Sequence, residues 1–472
     1  MNRVACDICV IGAGPGGLTV AAAAARFGRE VILIEQGRMG GDCLNYGCVP
    51  SKALIAAARH AHVFRASTSF GIAAREPEIS FPAVMDHVRS AIAAIAPNDS
   101  EERFLKLGCR VIRAKARFIS PDAIEAAGQT ITARRFVIAA GSSPTLPPIA
   151  GLAGVPYFTT DTIFENRTRP GHLIILGAGP VGLELGQAFR RLGSAVTLLE
   201  AEAPLARADP LLRKIVLDAL GREGVEIIAG CRVEAFREER GNIHASVATA
   251  GVKRDISATH LLLAAGRRPN VEDLGLEAAG IASSAGGIGV DRSLRTSNPR
   301  VYAIGDVTGA QFTHAASHQA GLVIRNALFR LPIRYQASAT PWVVFTDPEF
   351  ASVGLSEAEA ARRRLATDVV EVPFADNDRA VIERRTEGCM RIVLDRKKRI
   401  LGAAIVGLNA GELLFPWIHL TRSGERLRTM AGAVVPYPTL SETGKRAGIA
   451  SYAGLASNPW VRRIADMMAV FG

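Results

Sequence analysis

Apolar positions follow one pattern twice along the first two thirds of the chain. Val4–Ile11 is a short apolar run. It enters Gly12-Ala-Gly14-Pro-Gly-Gly17, and a helical run from Leu18 to Arg26 follows. An apolar strand, Val31–Ile34, then ends at Glu35. The second copy has strand His172–Leu176, the turn Gly177-Ala-Gly179-Pro-Val-Gly182, helix Leu183–Leu192 and strand Ala195–Leu199, ending at Glu200. The spacing from first glycine to acid is the same in both copies. Each reads as the strand–turn–helix–strand of a dinucleotide-binding unit. The first glycine permits the tight turn and the second lets backbone approach a pyrophosphate. The third lets helix and strand pack closely, and the helix N-terminus faces the phosphate. One such fingerprint is weak evidence, because glycine turns also precede helices for structural reasons alone. Two copies, each closed by its acid, leave that reading little room.

Two further strands, Phe136–Ala140 and Leu261–Ala265, enter Gly141-Ser-Ser-Pro144 and Gly266-Arg-Arg-Pro269, as strands that close nucleotide units do. From about Tyr335 the texture changes. Trp342–Phe345, Arg391–Leu394 and Ile400–Val406 read as strands; Glu357–Leu365, Gly411–Leu420 and Glu442–Tyr452 read as helices. No glycine fingerprint occurs there. The expected fold is α/β: two Rossmann-like domains and a C-terminal α+β domain. The boundaries drawn are 1–150 and 271–335 for the first nucleotide domain in two parts, 151–270 for the second, and 336–472 for the last.

At 472 residues the chain is too long for a single core. Its net charge of +11 raises the question of nucleic acid or an anionic surface. The arginines are scattered, however, and the densest run, Arg396-Lys397-Lys398-Arg399, sits where a hairpin turn is expected. No nucleic-acid partner is expected. The run Ala21–Ala25 loosely imitates a signal peptide, but Gly12, Gly14, Gly16 and Gly17 interrupt the apolar region. No segment is apolar over the ~20 residues needed to span a bilayer, so a cytoplasmic protein without a membrane partner is expected.

Seven cysteines in this length do not make a secreted disulfide framework. Cys43 and Cys48 lie in Gly40-Gly-Asp-Cys43-Leu-Asn-Tyr-Gly-Cys48-Val-Pro-Ser-Lys52. A tight turn at a helix start could bring the two thiols to bonding distance; ideal helix geometry could not. Lys52 lies one helical turn beyond Cys48, and a cation and a helix N-terminus both favour thiolate. Cys6 and Cys9 spell C-x-x-C but fall on the first strand, where i and i+3 point to opposite faces; they read as core. Cys109, Cys231 and Cys389 are isolated packing residues, and no cluster has metal-site spacing.

With the cysteine segment and both fingerprints in this order, the chain resembles the flavoprotein disulfide reductases, a family that includes glutathione reductase, dihydrolipoamide dehydrogenase and mercuric reductase. The resemblance extends to Phe345-Thr-Asp-Pro-Glu349 and Pro438-Thr-Leu-Ser-Glu442 near the C-terminus. It implies that Gly12, Gly14, Gly17, Glu35, Gly41, Ala140, Gly141 and Asp306 hold FAD. A helix-capping role for Asp306 is the structural alternative. Gly177, Gly179, Gly182, Glu200 and Gly266 are implied to hold the nicotinamide cofactor. Glu200 suits a ribose 2′-hydroxyl better than a 2′-phosphate, so NADH is expected, with NADPH possible through Arg207. The resemblance also implies that Cys48 is the thiolate stacked on the flavin, Cys43 the thiol that meets substrate, and Lys52 with Glu184 the pair beside the flavin. It implies a homodimer whose C-terminal segment completes the neighbour's active site.

One position departs. Thiol-disulfide members carry His before the Pro of Pro438-Thr-Leu-Ser-Glu442; here it is Tyr437. This is similar to mercuric reductases, yet no cysteine follows Cys389 to hand a metal inward. A mercuric-reductase-like oxidoreductase with an unidentified acceptor is therefore expected. A dihydrolipoamide dehydrogenase and a flavin-binding protein without turnover are the alternatives. Tyr437 and Glu442 complete the catalytic set, with the phenol expected beside the Glu442 carboxylate.

Overall fold

The computed structural model describes residues 2–365, 367–452, 454 and 458–470. The chain forms two compact units, Met1–Pro204 with Val225–Ala337, and Leu205–Gly224 with Ser338–Gly472.

The first unit holds both fingerprints. A seven-stranded sheet has the order Cys109–Arg113, Val31–Glu35, Asn2–Ile11, Gln129–Ile138, Ala123–Ala126, Ala116–Ser120, with Val301–Ala303 also on Gln129–Ile138. The strands around Asn2–Ile11 run parallel. Chain order reverses between Asn2–Ile11 and Gln129–Ile138, and ligands of such sheets bind at that reversal, past the carboxyl ends of the strands. A second, five-stranded parallel sheet repeats this, with Ala195–Glu200 and His260–Leu263 flanking His172–Leu176. Buried Ile, Val and Leu on both faces explain why these strands read as continuous apolar runs. An antiparallel meander, Cys231–Glu239, Asn242–Thr249 and Val252–Ala258, was not foreseen. Ile243, Ala245 and Val247 alternate into its core, but the flanking strands Cys231–Glu239 and Val252–Ala258 carry many charged and exposed positions that mask that short stripe.

The closing segments do more than recur. Ser142–Pro144 pairs antiparallel with Arg267–Pro269, so the ends of the two closing strands are bonded to one another.

Cys6 and Cys9 correct a geometric expectation. They share one face and one core with Ile11, while Ile8 and Val10 lie in the other core. The amides of Asp7 and Ile8 both donate to the Glu30 carbonyl, at 3.0 and 3.1 Å. The alternation slips by one residue there, as at a bulge. Both thiols are buried, so the reading as core residues stands.

The second unit is a five-stranded antiparallel sheet ordered Trp342–Val344, Glu349–Gly354, Ile400–Gly407, Cys389–Asp395, Thr367–Pro373. The basic run is the turn between Cys389–Asp395 and Ile400–Gly407, as its pattern indicated. The helix expected over 411–420 is two, Ala410–Leu413 and Phe415–Ser423, because Pro416 cannot donate inside a continuous helix. Helix Pro210–Arg222 also belongs to this unit. Its N-cap Asp209 pairs with Arg391, which also reaches Glu357 and Glu371 at 3.1 and 3.2 Å. No helix among the described residues is long and apolar enough to cross a membrane.

Candidate active site

The two glycine turns are built alike. Gly12 and Gly177 take φ of +103° and +110°, and a Cβ there would fall 2.3 and 2.4 Å from the Ala139 and Ala264 carbonyl oxygens. A Cβ on Gly17 or Gly182 would lie 1.9 or 2.0 Å from the carbonyl oxygen of Gly12 or Gly177. Gly14 and Gly179 instead have nothing within 4 Å of that position. The first and third glycines therefore serve packing, and the second leaves open space at the start of a helix. Glu35 and Glu200 also match. Glu35 accepts from the Ala13 and Gly37 amides, both at 2.6 Å, and Glu200 from Ala178 and Glu202 at 2.7 and 3.0 Å. Each acid braces its own turn, and carboxylate lone pairs remain for a ribose. These residues fit two dinucleotides.

The redox segment lies directly against the first turn. The Gly40 amide donates to the Ala13 carbonyl at 3.0 Å, and a Cβ on Gly41 would sit 2.8 Å from the Gly14 Cα. From there helix Gly41–Asn45 begins. It stops at Tyr46, whose amide and that of Gly47 both return to the Asp42 carbonyl at 2.8 and 2.7 Å. Helix Cys48–Ala66 then starts with Cys48 as its first residue. The break between the helices replaces ideal helix spacing, and Cys43 and Cys48 are free thiols close enough to shift one another's ionisation. Cys48 is exposed and Cys43 half-buried.

The two thiols differ in ionisation. The hydrogen bond from Cys43 is the largest influence bringing Cys48 down to about 6; Thr313 and the Lys52 charge act the same way, against burial and Asp42. Cys43 is pushed well above the ordinary thiol range by that same bond, then by burial and the neighbouring charge. The pair therefore carries one negative charge at neutral pH, on Cys48. Thr313 lies 3.3 Å from the Cys48 sulfur and was missed in the sequence, being 265 positions away. Replacing it with Val should raise the Cys48 midpoint by about half a pH unit, the scale of one hydrogen bond. A pH titration of thiolate in the reduced protein measures this; an unmoved midpoint contradicts it.

Lys52 donates to Glu184 at 2.6 Å; the carboxylate side chain is only 6% exposed. Helix Pro180–Arg191 supplies it from the second fingerprint, so both nucleotide units meet at this ion pair. Asp306 caps no helix: it accepts from the Ser142 hydroxyl at 2.6 Å. The Ala140 carbonyl accepts from the Asn270 side chain at 2.9 Å, the Gly141 carbonyl from its amide at 3.0 Å, and the Gly266 carbonyl from the Thr145 amide at 3.0 Å. A cleft of about 460 Å³ is lined by Leu18, Ala22, Leu44, Phe104, Cys43 and Thr313.

Tyr437 lies in the second unit and is 68% exposed. Its hydroxyl donates to Asp378, not to Glu442, at 3.0 Å, and Arg446 pairs with the other Asp378 oxygen at 3.4 Å. That hydrogen bond and the Asp378 charge hold the phenol above its ordinary value; Glu442 adds to this and Arg446 opposes it. Oε2 of Glu442 is buried without a hydrogen-bond partner among the described residues. Asp378 was invisible in sequence because a separate short helix, Asp378–Ile382, carries it.

Two Rossmann-type units, a thiol pair between helices and a half-buried Lys–Glu pair define an oxidoreductase of the flavin and nicotinamide class. Residues 6–320 match the family described as pyridine nucleotide-disulphide oxidoreductase, and 340–447 match its dimerisation domain. The chain belongs to this family, whose members bind FAD and use NAD(P)H. It is 34% identical over 450 residues to a mercuric reductase of Streptomyces lividans, covering 93% of this chain and 95% of that one. It is also 34% identical over 459 residues to a dihydrolipoyl dehydrogenase of Thermus scotoductus, covering 92% and 95%. Among solved structures it is similar to the Cu(II) complex of the HOCl-induced flavoprotein disulfide reductase RclA of Escherichia coli. That match has a TM-score of 0.83 and 27% identity, covering 93% of this chain and 99% of that one. LpdA of Mycobacterium tuberculosis gives a TM-score of 0.87 at 25% identity, covering 96% and 100%.

Proposed function

We propose that this enzyme passes electrons from NADH to a non-disulfide acceptor through Cys43 and Cys48, in the manner of a mercuric reductase. The observation that carries this is the thiol pair itself, with Cys48 ionised and Cys43 facing a cleft, together with a phenol where a disulfide reductase needs an imidazole. FAD, when bound, supplies the two-electron carrier between nicotinamide and thiols. Gly12, Gly14, Gly17, Glu35, Gly41, Ala140, Gly141 and Asp306 would hold it; Gly177, Gly179, Gly182, Glu200 and Gly266 would hold the nicotinamide cofactor. Residues 1–150 and 271–335 form the FAD part, 151–270 the nicotinamide part and 336–472 the dimerisation part. Lys52 and Glu184 fix a charge pair beside the flavin. Cys43, kept protonated, delivers its proton and electrons outward while Cys48 holds the negative charge; loss of two electrons and one proton from the thiol–thiolate pair gives the disulfide.

The chain acts as a homodimer. The match to a dimerisation domain supports this, as do Phe415 and Val434, 74% and 97% exposed in the second unit. Dihydrolipoamide dehydrogenase is the second reading, favoured by relatives of that name at equal identity. Steady-state assays with lipoamide, glutathione disulfide, quinones, Hg(II) and Cu(II), each with NADH and NADPH, separate the two: rapid lipoamide turnover with no metal reduction overturns the first.

NADH should be preferred by at least about tenfold in kcat/KM, or about 1.4 kcal/mol. Glu200 closes the second unit with a carboxylate, and the Arg207 guanidinium lies 5.9 Å from the Trp342 ring in the second compact unit. A clear NADPH advantage in the same assay contradicts this.

A further inference from the structure

Asp42 directly precedes Cys43, and its side chain reaches across to the residue before Cys48. A Cβ on Gly47 would fall 2.7 Å from Asp42 Oδ2, so this carboxylate lies against the residue that joins the two thiol-bearing helices. Its other oxygen accepts from Arg267 at 2.9 Å. Arg267 is held by Ser142, through Oγ at 2.9 Å and the carbonyl at 2.8 Å, and by Thr160 at 3.1 Å. Asp161 stands 3.7 Å from the same guanidinium, and Asp306 is one hydroxyl away through Ser142. One guanidinium, on the closing segment that follows Gly266, thus pairs with two carboxylates and is linked to a third through the Ser142 hydroxyl.

We propose that Arg267 is a positioning residue for the redox pair: its ion pair with Asp42 keeps that carboxylate's charge from opposing the Cys48 thiolate and fixes the helix that carries Cys43. The proposal rests on the reading of Cys48 as the ionised thiol. The charged groups at Cys48 come from every neighbouring element. Cys43 and Asp42 lie on its partner helix, Lys52 on its own, and Glu184 stands behind Lys52; Thr313 adds a neutral hydroxyl. Tyr46, between the thiols, instead carries Arg38 over its ring at 5.8 Å. Asp42 is the group that disfavours the thiolate, and Arg267 is its counter-ion. Burial, Asp161 and Asp306 raise the Asp42 carboxyl while Arg267 holds it down. Without Arg267 the site must hold two negative charges on neighbouring groups, so the second ionisation moves up.

The test is the pH midpoint of the long-wavelength thiolate–flavin absorbance in the two-electron-reduced holoenzyme, with the pH profile of iodoacetamide alkylation at Cys48 as a band-independent reading. Arg267→Met should raise the midpoint by about one pH unit, the scale of one lost counter-charge. Arg267→Lys should keep it near wild type. Asp42→Asn added to Arg267→Met should bring it back within a few tenths of a unit, although the tether is still missing. A midpoint unmoved in Arg267→Met, or a shift that persists in the double variant, overturns the proposal. Absence of the band and of Cys48 ionisation in the wild-type protein overturns instead the assignment of the thiols.

Discussion

Cys48→Ser should abolish the long-wavelength absorbance of the reduced enzyme and lower acceptor turnover by at least about 10³-fold, while bound FAD stays near one per chain. The serine hydroxyl keeps the shape and the hydrogen bond from Cys43, but it does not ionise near neutral pH and cannot close a disulfide. The FAD fingerprint lies outside this change, since Gly12, Gly17 and Glu35 are held by their own backbone contacts. In the wild type the absorbance should follow the thiolate, present above a midpoint of about 6 and lost below it. Survival of the band in Cys48→Ser moves the flavin-facing role to Cys43. A midpoint near the ordinary thiol value means that Cys43, Thr313 and Lys52 do not act together as the geometry indicates.

The second large effect concerns Tyr437. Exchange with a disulfide substrate needs a group that returns a proton to the leaving thiol, and this works best when its pKa lies near the working pH. Imidazole starts at ~6.5 and phenol at ~10. Acting as a base at neutral pH would require lowering the phenol by about three pH units. The structure moves it the other way, because Tyr437 donates to the anionic Asp378. The phenol is a donor locked onto a carboxylate. Lipoamide and glutathione disulfide should turn over about 10²-fold or more below a His-containing relative. Tyr437→His should raise that activity, since Asp378 stands ready to orient an imidazole as it now holds the phenol. Fast wild-type lipoamide turnover at pH 7 that Tyr437→Phe leaves unchanged would favour dihydrolipoamide dehydrogenase.

How far the chain could be read from its sequence differs by region. The fingerprint turns and their acids were legible because glycine spacing is a backbone requirement, local to about twenty-four residues in each copy. The packing of Gly17 onto Gly12, and of Gly182 onto Gly177, is what that spacing demands. Cys43, Cys48 and Lys52 were legible for the same reason: one short local stretch, two helices joined at Tyr46 and Gly47, carries them all. Lys52–Glu184 needed the family pattern, because 132 residues separate the partners.

What sequence determined, then, is local chemistry: two nucleotide turns, one thiol pair, one substituted phenol. Tertiary structure decided who surrounds that chemistry. The slip at Asp7 put Cys6 and Cys9 on one face where regular alternation separates them. Thr313 reached Cys48, Arg267 reached Asp42, and Asp378 rather than Glu442 took the phenol. None of these contacts has a periodic signature. Each is made by a polar side chain on a different element, and its partner is set by how strands and helices pack, which no local spacing encodes.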